Sequence, residues 1–394
     1  MKISQVVKIN ARSLQKDYPF QEIEYIDISS VGTGILNESP IKLNLSKAPS
    51  RARRLVQSGD TIISTVRPNR RSFFYIRDPK ENTVVSTGFA VLSPTPQVDS
   101  RYLYYWVSRP EFSDYLSAHA KGVAYPAVSP EDIGGAEILL PSLPIQRRIA
   151  SILSAYDDLI ENNLRRIKIL EEMARALYRE WFIEFRFPGH EKVPLVSSVI
   201  GPIPKGWRIA PLSSVVDFMK GRKPNETRES PLPGDVRLLL IDVLRGGSPI
   251  FASPEKIILA EMRDTLMVMD GSNSCEVTTG YSGAVGSTLG RFRVKEPNIL
   301  SPHALHQFLL SKEVEFRLKN IGVAIPHANK DYIFSQSIVI PPRPIMAQFD
   351  VQAAPIYKLV EIQKLRVYNL RRTRDLLLPR LLSGQIPVEA AVPA

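Results

Sequence analysis

An internal repeat at an offset of 200 residues constrains this 394-residue chain more than any other feature. Gly122-Val123-Ala124-Tyr125-Pro126 returns as Gly322-Val323-Ala324-Ile325-Pro326, and Ile133 and Ile138 return as Ile333 and Ile338. Pro141-Ser142-Leu143-Pro144-Ile145 returns as Pro341-Pro342-Arg343-Pro344-Ile345, without a gap. So long a period is not that of a solenoid; it describes a tandem duplication, a dimer made within one chain.

Each Pro-x-x-Pro-Ile leads into a heptad seam. The first runs through Ile149, Leu153, Tyr156, Ile160, Asn163, Ile167, Leu170, Ala174, Leu177 and Trp181. Adding 200 gives Phe349, Ala353, Ile356, Val360, Gln363, Val367, Leu370, Arg374, Leu377 and Leu381. Apolar residues at alternating spacings of four and three predict two long helices, each with a stripe to bury, and each is the obvious partner of the other. An interior proline removes a hydrogen bond and crowds the preceding turn. Pro355 is therefore expected to start or kink the second helix and Pro379 to end or bend it, leaving a main run of about 355–378. Residues 355–382 carry seven basic and two acidic residues, whereas the first helix offers Asp157, Asp158, Glu161, Glu171 and Glu172 as partners. Asn163 and Gln363 occupy the same seam position. Either they meet, or nearly meet, at a pseudo-twofold axis and fix an antiparallel register, or they lie at the seam's edge in water.

The helices, 142–186 and 342–384, delimit globular segments 1–141 and 203–341, with a Pro- and Gly-rich linker at 187–202 and a flexible tail at 385–394. Strand-like runs at Ile23–Ile28, Thr61–Val66, Phe73–Ile76, Thr83–Val85 and Ala90–Leu92, then a helical stretch at 100–118, are echoed by Arg237–Val243, Thr265–Met269, Gly283–Val285 and a helix near 303–319. The expected fold is mixed α/β: two recognition domains separated by two long antiparallel coiled-coil helices.

The formal net charge of +11 favours a polyanionic partner. One cysteine, Cys275, excludes an internal disulfide framework and a zinc-finger ligand set. No stretch approaches the ~18 apolar residues of a membrane span, so a soluble cytoplasmic protein is expected. Residues 42–80 contain ten Lys or Arg against two acidic residues. Arg51, Arg53, Arg54, Arg67, Arg70 and Arg71 form its centre. Arginine suits both guanine edges and phosphates, although a solvated charged face is the plain alternative. The second segment offers Lys220, Arg222 and Lys223 in a loop and Arg291 and Arg293 on a later strand, where both readings stay open.

Phosphate loops, dinucleotide fingerprints, Asn/Asp-Pro-Pro-Tyr, nuclease carboxylate sets and His-Glu-x-x-His are all missing. His303 and His306, at i and i+3, read as a surface pair, and Cys275 as structural. The alternatives to a binding scaffold are a methyltransferase or nuclease with unrecognisable motifs, or a coiled-coil assembly protein with incidental charge.

The layout resembles the specificity (S) subunit of type I restriction–modification systems. The resemblance rests on Leu140-Pro141-Ser142-Leu143-Pro144-Ile145-Gln146-Arg147-Arg148-Ile149-Ala150, Trp181-Phe182, Ile203-Pro204-Lys205-Gly206-Trp207 and Leu376-Leu377-Leu378-Pro379-Arg380-Leu381-Leu382-Ser383-Gly384. Pro49–Arg54, Gly59-Asp60-Thr61 and Val66-Arg67-Pro68 resemble target-recognition wording. Pro344-Ile345-Met346-Ala347-Gln348 departs from the pattern, its glutamine displaced relative to Gln146. The resemblance implies a non-catalytic subunit that reads a bipartite double-stranded DNA target. It also implies two modification (M) subunits carrying S-adenosylmethionine chemistry, with restriction (R) subunits supplying ATP- and Mg-dependent cleavage.

Overall fold

The computed structural model describes residues 1–122, 125–247, 249–322 and 325–389. Val123, Ala124, Val323 and Ala324 of the repeated motif, and residues 390–394 of the expected tail, lie outside the described residues. The chain divides into two compact units, Met1–Ile160 with Asn369–Ala394, and Glu161–Tyr368. Both boundaries fall within the long helices, so each unit comprises one globular segment and part of both helices.

The first unit contains β1 (Val7–Ile9), β2 (Glu22–Ile26), β3 (Ile41–Asn44), β4 (Ala52–Leu55), β5 (Thr61–Ser64), β6 (Phe73–Tyr75), β7 (Thr83–Ser86) and β8 (Phe89–Pro94). Helices α1 (Ser100–Val107), α2 (Pro110–His119), α3 (Pro130–Gly135) and the start of α4 (Leu143–Tyr178) follow. One sheet runs β1-β8-β5-β6 and is antiparallel throughout; the other runs β3-β2-β7-β4, with β2 parallel to β7. The helix expected at 100–118 is two helices, because Pro110 opens α2 at a position where its missing N–H costs nothing. β5 and β7 are buried at every residue and rich in β-branched side chains, as strands covered on both faces should be.

The second unit holds the rest of α4, then β9 (Leu195–Val196), β10 (Ile203–Pro204), β11 (Arg208–Pro211), α5 (Leu212–Val215), β12 (Val216–Lys220), β13 (Val236–Leu239), α6 (Ile241–Leu244), β14 (Phe251–Ala252), β15 (Leu259–Ala260) and β16 (Thr265–Val268). It continues with β17 (Val277–Thr279), β18 (Gly283–Val285), β19 (Leu289–Val294), α7 (Pro302–Ser311), α8 (Glu313–Leu318), α9 (Lys330–Ser335), β20 (Ser337–Ile340) and most of α10 (Arg343–Leu382). Its sheets run β12-β19-β16-β17 and β14-β13-β18-β15, with β13 parallel to β18. Each of these four-stranded sheets matches one in the first unit, so the duplication extends through the globular parts despite their divergent residues; the second unit adds the two-stranded pairs β9–β10 and β11–β20.

All ten matched positions of each seam are buried or half-buried. In the first unit Ile149 and Leu153 share a core with Leu378, Leu381 and Leu382. In the second, Trp181 and Phe182 pack on Phe349 at 5.8 and 4.9 Å between ring centroids. The start of one helix thus meets the end of the other in both units, which is antiparallel pairing. The expected cross-helix charges also form: Arg374 reaches Asp157 at 2.6 Å and Lys364 lies 3.7 Å from Glu171.

Four expectations need correction. α10 is a continuous helix of 40 residues that neither Pro355 nor Pro379 breaks. Both prolines are exposed, and the carbonyls they leave without a donor belong to the exposed Val351 and Asp375, where water serves instead. Asn163 and Gln363 are 7% and 6% exposed, so neither lies at a wet edge. His303 and His306 are buried, 9% and 8% exposed, against α10: Asp350 receives His303 at 3.0 Å, and Tyr357 meets His306 at 2.6 Å. The tail is anchored at its start, where Ile386 and Val388 pack on the first unit's core and the Ile386 N–H reaches the Arg380 carbonyl.

The displaced glutamine has a structural consequence. Gln146 is buried, accepts from the Asp99 N–H at 2.9 Å, and donates to the Pro141 carbonyl at 2.8 Å, fastening α4 to the start of α1. Met346, also buried, holds that place in the repeat, while Ser301 and His303 bond Asp350 instead.

Candidate nucleic-acid interface

In the first unit a chain of backbone hydrogen bonds draws four separate segments together. The Thr87 N–H donates to the Arg51 carbonyl at 2.8 Å, and the Thr65 N–H to Gly88 at 2.8 Å. Val128 donates to Thr65 at 2.9 Å and Arg67 to Pro126 at 2.7 Å. The β7–β8 turn therefore sits among the Arg51–Arg53 edge, the loop carrying Arg67, Arg70 and Arg71, and residues 126–128.

The six arginines take different roles. Arg53 and Arg70 are exposed, and Arg51 is exposed with Asp27 at 3.2 Å. Arg67 lies over the Tyr125 ring, 4.8 Å from its centroid. Arg54 is half-buried and bonds Asn10 Oδ1 and the Phe89 carbonyl, and burial pulls its pKa down. Arg71 caps the end of α1, donating to the Ser108 carbonyl at 2.8 Å. Arg67 and Arg71 both have positive φ, at 51° and 52°, a left-handed backbone that side chains other than glycine seldom adopt.

The second unit repeats the frame. Met269 donates to Thr288 at 2.7 Å, Ala328 to Met269 at 2.8 Å, and Gly271 to Pro326 at 2.8 Å. Arg222, exposed, is tied through its N–H to the Val285 carbonyl at 3.1 Å, and Lys223 beside it is exposed too. Lys220 is exposed but pairs with Asp270 at 2.9 Å, and the same carboxylate receives His327 at 2.7 Å. Burial pushes Asp270 upward, yet these two donors hold its carboxyl below the usual range.

The β19 arginines are committed inside the fold. Arg291 is 9% exposed and donates to the Leu259 carbonyl at 2.9 Å. Arg293 grips the buried Asp264 with two donors, the Nε bond at 2.7 Å, and also reaches Glu261 at 3.0 Å. These contacts join β19 to β15 and to the residues that lead into β16.

Position 125 and its counterpart 325 carry the change within the repeated Gly-Val-Ala-x-Pro, a signal the charge count passed over. Tyr125 is 70% exposed and Ile325 58%. Among the described residues no group of three or more metal-ligating side chains occurs, and no helix is long and apolar enough to cross a membrane.

Comparison with known proteins agrees with this geometry. The family model described as the type I restriction modification DNA specificity domain matches residues 1–172. The type I restriction enzyme MjaIX specificity subunit of Methanocaldococcus jannaschii is 26% identical over 335 residues, covering 82% of this chain and 77% of that protein. The HindI specificity subunit of Haemophilus influenzae is 20% identical over 449 residues, covering 95% of this chain and 97% of that protein. Among solved structures, the type I restriction–modification S subunit of M. genitalium has the same fold, with a TM-score of 0.55 at 15% identity over 97% of this chain and 95% of that one. With two relatives aligned over most of their length and a family model matching its first 172 residues, this chain is similar to the specificity subunits of type I restriction–modification systems.

Proposed function

We propose that each unit reads one half of a bipartite, asymmetric DNA target, while α4 and α10 set the spacer between the halves. The observation that carries this reading is the repeated frame. The same three backbone bonds recur in both units, with Arg51, Arg53, Arg67 and Arg70 around one and Lys220, Arg222 and Lys223 around the other. A common scaffold with different exposed cations suits two half-sites of different sequence. Arg54, Arg71, Arg291 and Arg293 serve by holding the frame.

Two modification subunits dock on the helices in this proposal. Ile169 and Met173 of α4 and Leu359, Leu365 and Leu376 of α10 are large apolar side chains at 45–61% exposure, off the mutual seam and open to such partners. Catalysis, with its S-adenosylmethionine, belongs to those subunits, and ATP- and Mg-dependent cleavage to any restriction subunits that join. The setting is the cytoplasm.

Sequencing methylated sites in the native genome with and without this gene tests the proposal. Deletion should erase methylation at one two-part motif with an unspecified spacer; deletion that erases no such motif refutes it. Binding of S-adenosylmethionine to the isolated chain would favour a self-contained methyltransferase instead.

A further inference from the structure

The internal repeat supplies its own comparison, in which the backbone is held constant and side chains vary. In both units the residue after the repeated proline is clamped on two sides. Lys121 and Val66 bridge to Ala127 in the first unit, and Ile321 and Asp270 bridge to His327 in the second. Arg67 donates to Pro126 as Gly271 donates to Pro326. Within this frame two facing positions change: Arg67 becomes Gly271, and Tyr125 becomes Ile325.

Neither tip residue contributes a buried core side chain. Tyr125 is 70% exposed and Ile325 58%, although both stand on backbone fixed at its base. Single exposed apolar side chains are common. Two at the same point of a duplicated frame, each next to the proline whose carbonyl the frame bonds, form a pattern. Arg67 also holds a left-handed φ of 51°, where the second unit has a glycine at 100°. A non-glycine residue kept in that conformation, with its guanidinium 4.8 Å from the tyrosine ring centroid, points to a function for the side chain.

We infer that positions 67 and 125 in the first unit, and 271 and 325 in the second, are paired base-reading positions that help to set each half-site. The inference rests on the proposal that each unit reads one half-site. Arginine supported by an aromatic face is suited to a guanine edge, and Tyr125 restricts where that guanidinium can lie. Ile325, with Gly271 bonded to the neighbouring Pro326 and carrying no side chain, offers an apolar side chain in place of the arginine and tyrosine, which suits a thymine methyl group. The first unit is thereby assigned a G·C pair and the second an A·T pair at the corresponding step.

The test is selection from a random-sequence duplex library by complexes captured through a tag on this chain, comparing wild type, Tyr125→Ala, Tyr125→Phe and Ile325→Ala. Wild type should enrich a two-part motif. Tyr125→Ala should reduce discrimination at one base pair of one half roughly tenfold and leave the other half unchanged. Ile325→Ala should do the reverse, and Tyr125→Phe should retain the wild-type motif. If wild type enriches a motif that neither alanine variant alters, the tip assignment is overturned and half-site reading stands. If wild type enriches nothing, half-site reading itself fails. An alanine variant that weakens binding to every sequence equally, with an unchanged unfolding midpoint, makes the tip a general DNA contact and overturns the assignment too.

Discussion

His306 sits on α7 with its ring closed off from water and its Nδ1 against the Tyr357 hydroxyl. Burial, reinforced by Lys364, His303 and Arg175, draws its pKa down to about 3. The unfolded chain takes up a proton near the ordinary value of about 6.5, which the folded chain refuses until far lower pH. This contribution to stability is therefore complete above about pH 6.5 and falls as the pH drops toward 3, by about 2 kcal/mol at pH 5. His306→Asn should narrow the difference in denaturation midpoint between pH 7.5 and pH 5; an unchanged difference would contradict the assignment. The arginines separate in the same physical way. Arg293→Ala strands the buried Asp264 and should lower stability by about 2 kcal/mol, discounted for the partial exposure of Arg293. Arg222→Ala and Lys223→Ala, both at exposed sites, should leave stability within about 0.5 kcal/mol and reduce the salt slope of DNA binding by about one each. Charge counting located the basic segments. It could not distinguish Arg53 from Arg54, because only the fold places Asn10 and the Phe89 carbonyl beside one of two adjacent guanidinia.

At the scale of elements the sequence was most legible where a period did the work. The heptad seam is buried or half-buried at every position named, its last first-helix residue Trp181 lying in the π-helical turn Arg179–Ile183 that extends α4, because burying a stripe is a repeated demand and leaves a repeated trace. Short strands such as β9, β14 and β15, of two residues each, leave no trace of that kind and were not found. The proline rule misled because it concerns the hydrogen bond lost rather than where the orphaned carbonyl points. Pro355→Ala should restore a donor to the Val351 carbonyl and raise the unfolding midpoint, by about 1 kcal/mol of stability. A lowered midpoint would show that proline is preferred there. Gln363 makes the opposite case: its Oε1 is buried without a partner. Gln363→Leu should stabilise by about 1–2 kcal/mol in chemical denaturation, since it removes an unmet polar atom. If that variant instead destabilises the protein, the amide holds the register more firmly than its contacts indicate.

Across the whole molecule the proposed spacer function is a statement about length. α4 has 36 residues and α10 has 40, and at 1.5 Å per residue α4 is ~54 Å long, more than the ~34 Å of one DNA turn. Duplication is what made this scale readable from sequence, because a fixed offset of 200 residues reports two copies even where the strands have diverged. Half-site spacing should then follow helix length. Seven residues inserted at the seam midpoint of both helices keep every apolar position in phase, since a heptad is close to two full turns. The added length is ~10 Å, about three base pairs at ~3.4 Å each. The expected outcome, read by sequencing methylated sites, is an unspecified spacer about three base pairs longer flanked by the same two half-sites. Three base pairs also rotate one half-site by more than a quarter turn about the duplex axis, so methylation should weaken unless the DNA or the helices twist to compensate. A lengthened protein that keeps the original spacer would end the proposal that the helices measure it. The same insertion into α4 alone should instead abolish methylation, because α4 then outruns α10 and the pairings at its two ends, Ile149 and Leu153 with Leu378, Leu381 and Leu382 and Trp181 with Phe349, no longer form together.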